Sequence, residues 1–146
     1  MKPANYRELL QEFEAMRDTS FIANVANLSA LIFQGVPDVN WAGCYLFDGN
    51  ELVLGPFQGK PACVRIPMGK GVCGTSAKDR RIVRVANVHH FPGHIACDER
   101  SRSELVVPLI VDGKLIGVFD VDSPIHDRFN DTDEKGIEEL CKCLMK

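Results

Sequence analysis

Two hydrophobic periods divide the chain. Through residues 5–17, Tyr6, Leu9, Leu10, Phe13 and Met16 recur at helical spacing. Asp18-Thr19-Ser20 then offers capping side chains for a second helix with Phe21, Val25, Leu28 and Ile32 on one face, and Gly35 and Pro37 close it. From residue 40 the period falls to two. Trp41, Gly43, Tyr45 and Phe47 share one face of a strand, and Ala42, Cys44 and Leu46 share the other. Asp48-Gly49-Asn50 marks a hairpin, and residues 51–57 return as a second strand. A short strand over 62–66, a short helix over 75–80 and a strand over 82–85 follow. Strands over 105–111 and 114–121 then flank Asp112-Gly113. The last helix starts near Asp131, where Asp131 and Glu134 have the spacing of a capping box, and its apolar stripe is Ile137, Leu140, Cys141 and Leu144. Cys143, two residues past Cys141, is expected to turn away from that stripe. Helix and strand runs kept apart, with hairpins, predict an α+β fold: a central antiparallel sheet, helices packed on one face and a ligand pocket on the other.

The register of the last hairpin decides where three acids point. Asp120 and Asp122, two apart on a strand, share a face. A two-residue turn at Asp112-Gly113 would set Glu104 opposite Val121, away from both. A three-residue loop, Val111-Asp112-Gly113 with Gly113 left-handed, would set Glu104 opposite Asp120. The second register also gathers Leu105, Val107, Leu109, Leu115, Phe119 and Val121 on the core face, and it is the preferred one. Three carboxyls held close together raise the pKa of at least one, which makes a proton donor at neutral pH. Either aspartate alone fits a functional role and a bland one, pointing into solvent or bonding the Ser123-Pro124 turn, equally well. Trp41 and Tyr45 on one strand face fit core packing, or the wall of a site for a small apolar or methylthio group.

Composition narrows the function classes. The chain has 146 residues, 45% of them hydrophobic and 25% charged, which suits one domain with one real core. A net charge of −3 does not suggest nucleic acid or an acidic membrane surface as partner. No apolar run approaches a membrane span, and the first residues lack the apolar segment of a secretory signal, so a cytoplasmic protein is expected. Six cysteines (44, 63, 73, 97, 141 and 143) are many for a compartment that keeps thiols reduced. No C-x2-C pair exists, so the spacings do not match a structural zinc site, no metal or cofactor is expected, and redox chemistry is the better reading. Cys97 stands out. It lies in the Gly/Pro-broken run 89–98 beside His89, His90 and His94, where cationic neighbours would favour the reactive thiolate. The plain alternative is a small buried hydrophobe.

Five motifs then carry a resemblance: Gly55-Pro56-Phe57-Gln58-Gly59 with Pro61-Ala62-Cys63; Gly69-Lys70-Gly71-Val72-Cys73-Gly74; Phe91-Pro92-Gly93-His94-Ile95-Ala96-Cys97-Asp98; Ser103-Glu104; and Asp120-Val121-Asp122-Ser123. From about residue 40 to 124 the chain closely resembles the free methionine-(R)-sulfoxide reductases, enzymes built on a GAF domain, and departs from them at no functional position. The resemblance implies a single GAF domain over 1–146 that reduces free methionine-(R)-sulfoxide. It implies Cys97 as nucleophile, Cys63 as main resolving cysteine with Cys73 as alternative or relay, and Trp41, Tyr45, Glu104, Asp120 and Asp122 as the pocket lining. Thioredoxin as reductant and a possible homodimer come with it. The rival reading is a GAF-type small-ligand sensor with redox-sensitive cysteines and no turnover.

Overall fold

Six antiparallel strands form one sheet in the order β3-β2-β1-β6-β5-β4: β1 (Trp41–Phe47), β2 (Glu51–Gly59), β3 (Arg65–Pro67), β4 (Val83–Val85), β5 (Ser103–Val111) and β6 (Lys114–Ser123). Three helices, α1 (Tyr6–Met16), α2 (Phe21–Gly35) and α4 (Asp131–Leu144), cover one face. A fourth, α3 (Gly71–Asp79), lies against the other. The computed structural model describes residues 3–94 and 99–146.

The period-two pattern sorts as expected along β1. Ala42 and Cys44 join the core under α1, α2 and α4, while Trp41 and Tyr45 join a second, smaller cluster under α3. Pro56 interrupts β2, and the strand absorbs it where the β1–β2 register shifts between Gly43 and Tyr45. Proline is tolerated in strands at such irregularities. The helix starts are capped from the sequence. Asn5 accepts from Glu8 N, and Ser20 accepts from Ala23 N. On α4 the capping box is Asn130 with Asp133, one residue earlier than Asp131 with Glu134. Asp133 wins because its carboxylate is also wanted elsewhere: it accepts from Tyr6 Oη at 2.6 Å and from Arg128 Nη1 at 3.0 Å. That buried carboxylate ties α1 to α4.

Several expectations are corrected. Cys143 does not turn outward; it is buried in the large core with Cys141 and Leu144. Helix α4 meets both the sheet and the α1–α2 layer, so its apolar arc is wider than a four-residue stripe. Helix α3 begins at Gly71, four residues before the expected start, because two glycines inside its first turn hide its helical character. The third strand starts at Arg65, three residues late, since residues 60–64 form a loop over the pocket.

The β5–β6 hairpin begins in the two-residue register considered above and leaves it at a bulge, without adopting the three-residue one. Asp112 and Gly113 form a two-residue turn with φ of 51° and 76°, the left-handed pair that matches strand twist. The pairing Val111↔Lys114 and Ile110↔Leu115 then shifts to Leu109↔Gly117, so Ile116 is the extra residue of a bulge inside β6. Glu104 therefore opposes Asp122, not Asp120 as the three-residue loop required. All three acids still share a face. Leu115, on the turn side of the bulge, goes to the smaller cluster under α3 and not to the core face expected for it.

Gly113 has nothing within 4 Å of an added Cβ, so a substitution there tests backbone conformation alone. Gly113→Ala is expected to cost about 1–2 kcal/mol, the left-handed penalty of an L-residue. At this chain length that lowers Tm by about 2–4 °C per kcal/mol in a thermal melt. Gly113→Asn should lose clearly less.

Candidate active site

The pocket lies on the sheet face opposite α1, α2 and α4. Trp41 and Tyr45 come from β1, Glu104 from β5, Asp120 and Asp122 from β6, and Cys73 from the first turn of α3; all six line one cavity. Each is there for a local reason. Trp41 pairs with Asp122 across β1–β6, and Glu104 pairs with Asp122 across β5–β6, so the acids sit side by side on adjacent strands. Gly74 lets α3 press against the β3–α3 turn. A Cβ at this glycine would lie 2.6 Å from the Pro67 carbonyl oxygen, and this close approach delivers Cys73 to the acids.

Trp41 stacks on Tyr45 and on Phe57, with ring centroids 5.9 and 5.2 Å away. The polar ends of both pocket aromatics face the same loop. Trp41 Nε1 donates to the Lys60 carbonyl at 3.0 Å, and Tyr45 Oη donates to the Cys63 carbonyl at 3.1 Å. That loop carries Cys63, which is half-buried, and its neighbours Lys60, Pro61 and Ala62 line the cavity.

Two of the acids are almost wholly removed from water, Asp120 at 5% and Glu104 at 6% exposed, and Asp122 is half-buried. Burial raises the Asp120 pKa well above its ordinary value, and the nearby Asp122 and Glu104 carboxyls raise it further. Asp120 shares hydrogen bonds with both of them, yet its Oδ1 is enclosed and has no partner. Cys73 Sγ donates to Glu104 Oε2 at 3.7 Å. Burial first, and then Asp120, Glu104 and Asp122, push its thiol well above the usual range. Cys73 is thus a protonated thiol at neutral pH, and Asp120 holds its proton to a higher pH than an ordinary aspartate.

Cys97 falls within residues 95–98, outside the described residues. The described chain on either side of it, at His94 and Ser101, lines the same cavity. Of the three histidines considered with Cys97, His94 lines the cavity, whereas His89 and His90 are exposed and absent from its lining. Cys44, Cys141 and Cys143 belong to the core on the opposite face of the sheet. Burial pushes the Cys44 thiol up to about 12.

Some residues at the site escaped the sequence reading. Phe57 stacks behind Trp41 without lining the cavity, and its signal was its place in an alternating strand, masked by the irregularity at Pro56. Lys70, Gly71 and Val72 bring the N-terminus of α3 to the cavity. The signal there was Gly69-Lys70-Gly71, whose two glycines have φ of 83° and 64°.

Fold and pocket together are those of a GAF domain, whose family model matches residues 14–144. The chain is 51% identical to the free methionine-R-sulfoxide reductase of Escherichia coli, over 97% of this chain and 87% of that protein. It superimposes on the structure of fRMsr of Staphylococcus aureus in complex with substrate with a TM-score of 0.94 at 48% identity, covering 99% of this chain and 96% of that one. For the free methionine-R-sulfoxide reductase of Neisseria meningitidis in complex with its substrate the TM-score is 0.92 at 45% identity, covering 96% and 86%. The chain belongs to the GAF domain family and, within it, to the free methionine-R-sulfoxide reductases.

The state of Asp120 gives a signed pH dependence. Its pKa is higher folded than unfolded, so folding takes up a proton and stability falls as pH rises from the ordinary value of 3.8 through the raised one. Asp120→Asn removes that loss. Its Tm relative to the parent should therefore increase as pH rises from 3.8 toward the raised value, by about 2–4 °C per kcal/mol recovered. A difference in Tm that stays flat across that range would show that Asp120 is ionised in the folded protein.

Proposed function

We propose that the chain reduces free L-methionine-(R)-sulfoxide to methionine by cysteine chemistry, with thioredoxin regenerating the thiols. The observation that carries this reading is the pairing, in one pocket, of an aromatic wall with three close acids, two of them buried and one, Asp120, with its pKa raised well above the ordinary value. The names and substrate complexes of relatives at 45–51% identity support it.

Each wall has a task in this reaction. The methylthio end of the substrate packs against Trp41 and Tyr45, with Phe57 backing Trp41. Its ammonium group meets the carboxylates, the natural partners of a cation, which distinguishes a free amino acid from a peptide residue whose nitrogen is an uncharged amide. The N-terminus of α3, with Lys70 beside it, offers N–H groups to the negative end of the substrate. A carboxylic acid of raised pKa in this cluster gives its proton to the sulfoxide oxygen as a thiolate attacks sulfur.

The attacking thiol in this reading is Cys97, assigned by its family motif. The states of the other cysteines favour the same choice. Burial and three acids keep Cys73 protonated, and Cys44, Cys141 and Cys143 lie across the sheet from the pocket. Attack releases methionine and leaves Cys97 as sulfenic acid, which condenses with a second thiol to a disulfide and water. Cys63 is the resolving thiol, on a loop that is half-exposed, and Cys73 is the alternative. A dithiol reductant then restores both thiols by exchange.

A single turnover without reductant separates these roles. Cys97→Ser should release no methionine. Cys63→Ser should still release about one methionine per enzyme, while steady-state turnover with thioredoxin falls at least about tenfold. Cys73→Ser should be milder, and serine at Cys44, Cys141 or Cys143 should keep turnover in folded protein. Methionine released per enzyme is the measurement, and a stoichiometric burst from Cys97→Ser would overturn the assignment.

Selectivity offers an independent check. The (R) epimer of the free amino acid should be reduced, and the (S) epimer and N-acetylated methionine sulfoxide hardly at all. Comparable kcat/KM for the N-acetylated compound would remove the role given to the acids.

A further inference from the structure

Cys73, Glu104 and Asp120 reach one point from three elements, α3, β5 and β6. Sulfur and two carboxylate oxygens there lie within 4.8 Å of one another, and all three residues are buried. Asp120 Oδ1 is enclosed without a hydrogen-bond partner, although its residue is 5% exposed. A buried acceptor left unsatisfied costs free energy, and a cation is one way to satisfy it. Neither Glu104 nor Asp120 forms a salt bridge among the described residues.

The spacing is that of a metal site. Zinc binds sulfur at about 2.3 Å and carboxylate oxygen at about 2.1 Å, so a tetrahedral centre places the two ligand atoms about 3.6 Å apart. Cys73 Sγ and Glu104 Oε2 are 3.7 Å apart. One thiolate with two carboxylates suits a borderline divalent ion such as Zn2+ and its softer analogue Cd2+, not Mg2+ or Ca2+, which take oxygen alone. We propose that Cys73, Glu104 and Asp120 form a three-ligand site for a zinc-type divalent cation inside the pocket, and that the bound ion excludes substrate. The ion takes the place of protons on the Cys73 thiol and the Asp120 carboxyl. It occupies the acids and one thiol together, so the loaded protein neither binds the substrate ammonium nor uses Cys73. The absence of a zinc-like spacing in the sequence is no obstacle, because the ligands come from three separate elements.

The binding half stands on this geometry; the exclusion of substrate rests also on the reductase reading, so the experiment reads them separately. Reduced full-length protein is titrated anaerobically with Cd2+, following the ultraviolet sulfur-to-cadmium charge-transfer band, and with Zn2+ in competition with a chromophoric chelator. One ion per chain is expected. Cys73→Ser should lose the band, and Asp120→Asn and Glu104→Gln should each weaken Zn2+ at least about tenfold, the usual minimum for disturbing a metal shell. Cys63→Ser should bind as the parent does. Methionine sulfoxide should raise the apparent Kd for Zn2+, and Zn2+ should raise KM with kcat unchanged. No band at one equivalent of Cd2+, or full-strength binding by both Cys73→Ser and Asp120→Asn, overturns the site. Tight binding by a protein without reductase activity leaves the site standing and removes the reductase reading instead.

Discussion

Between Leu115 and Gly117, β6 carries one residue more than β5 beside it. A strand's side chains alternate strictly, so a single extra residue inverts the facing of everything beyond it. Here the inversion is needed. The tight Asp112-Gly113 turn alone would set Glu104 against Val121 and divide the three acids between the two faces of the sheet. With the bulge, Leu105, Val107, Phe119 and Val121 go to the helical core, and Glu104, Asp120 and Asp122 go to the pocket. Both the core and the site follow from that one insertion.

The two faces of the sheet meet opposite demands. Under α1, α2 and α4 the packing is nearly all hydrocarbon and sulfur, and its one buried carboxylate, Asp133, is answered by Tyr6, Arg128 and the Asn130 cap. Under α3, three carboxyls and a thiol crowd together, and Asp120 Oδ1 is left without a partner. Such a cluster is destabilising unless a proton or an ion is held within it. The large core supplies the stability that lets the smaller face carry this arrangement, a common division between scaffold and site.

The helices and strands were legible because their hydrophobic periods are clean. The facing of β1 came through directly from Trp41, Ala42, Gly43, Cys44 and Tyr45. The three acids were placed on one face correctly but through the wrong register. Apolar sorting reports which face a residue takes, whereas the position of a bulge depends on pairing with a distant strand. The start of α3 was hidden by glycines that serve close packing, and Phe57 by the irregularity at Pro56. The burial of Cys143 required knowing that two layers meet on α4. The site was legible mainly through family motifs. What motifs do not convey is that Asp120 is sealed from solvent, or that Cys73 bonds to Glu104, because these depend on atoms from three elements.

The indole N–H of Trp41 and the phenol of Tyr45 hold the Lys60 and Cys63 carbonyls, while their rings form the aromatic wall. Pocket width and the seat of a cysteine loop are therefore a single inherited trait. A descendant of this chain that traded either aromatic for a smaller residue, to admit a bulkier molecule, would release the loop in the same step. In this chain, broadening the pocket at either aromatic therefore also removes an anchor of the cysteine loop.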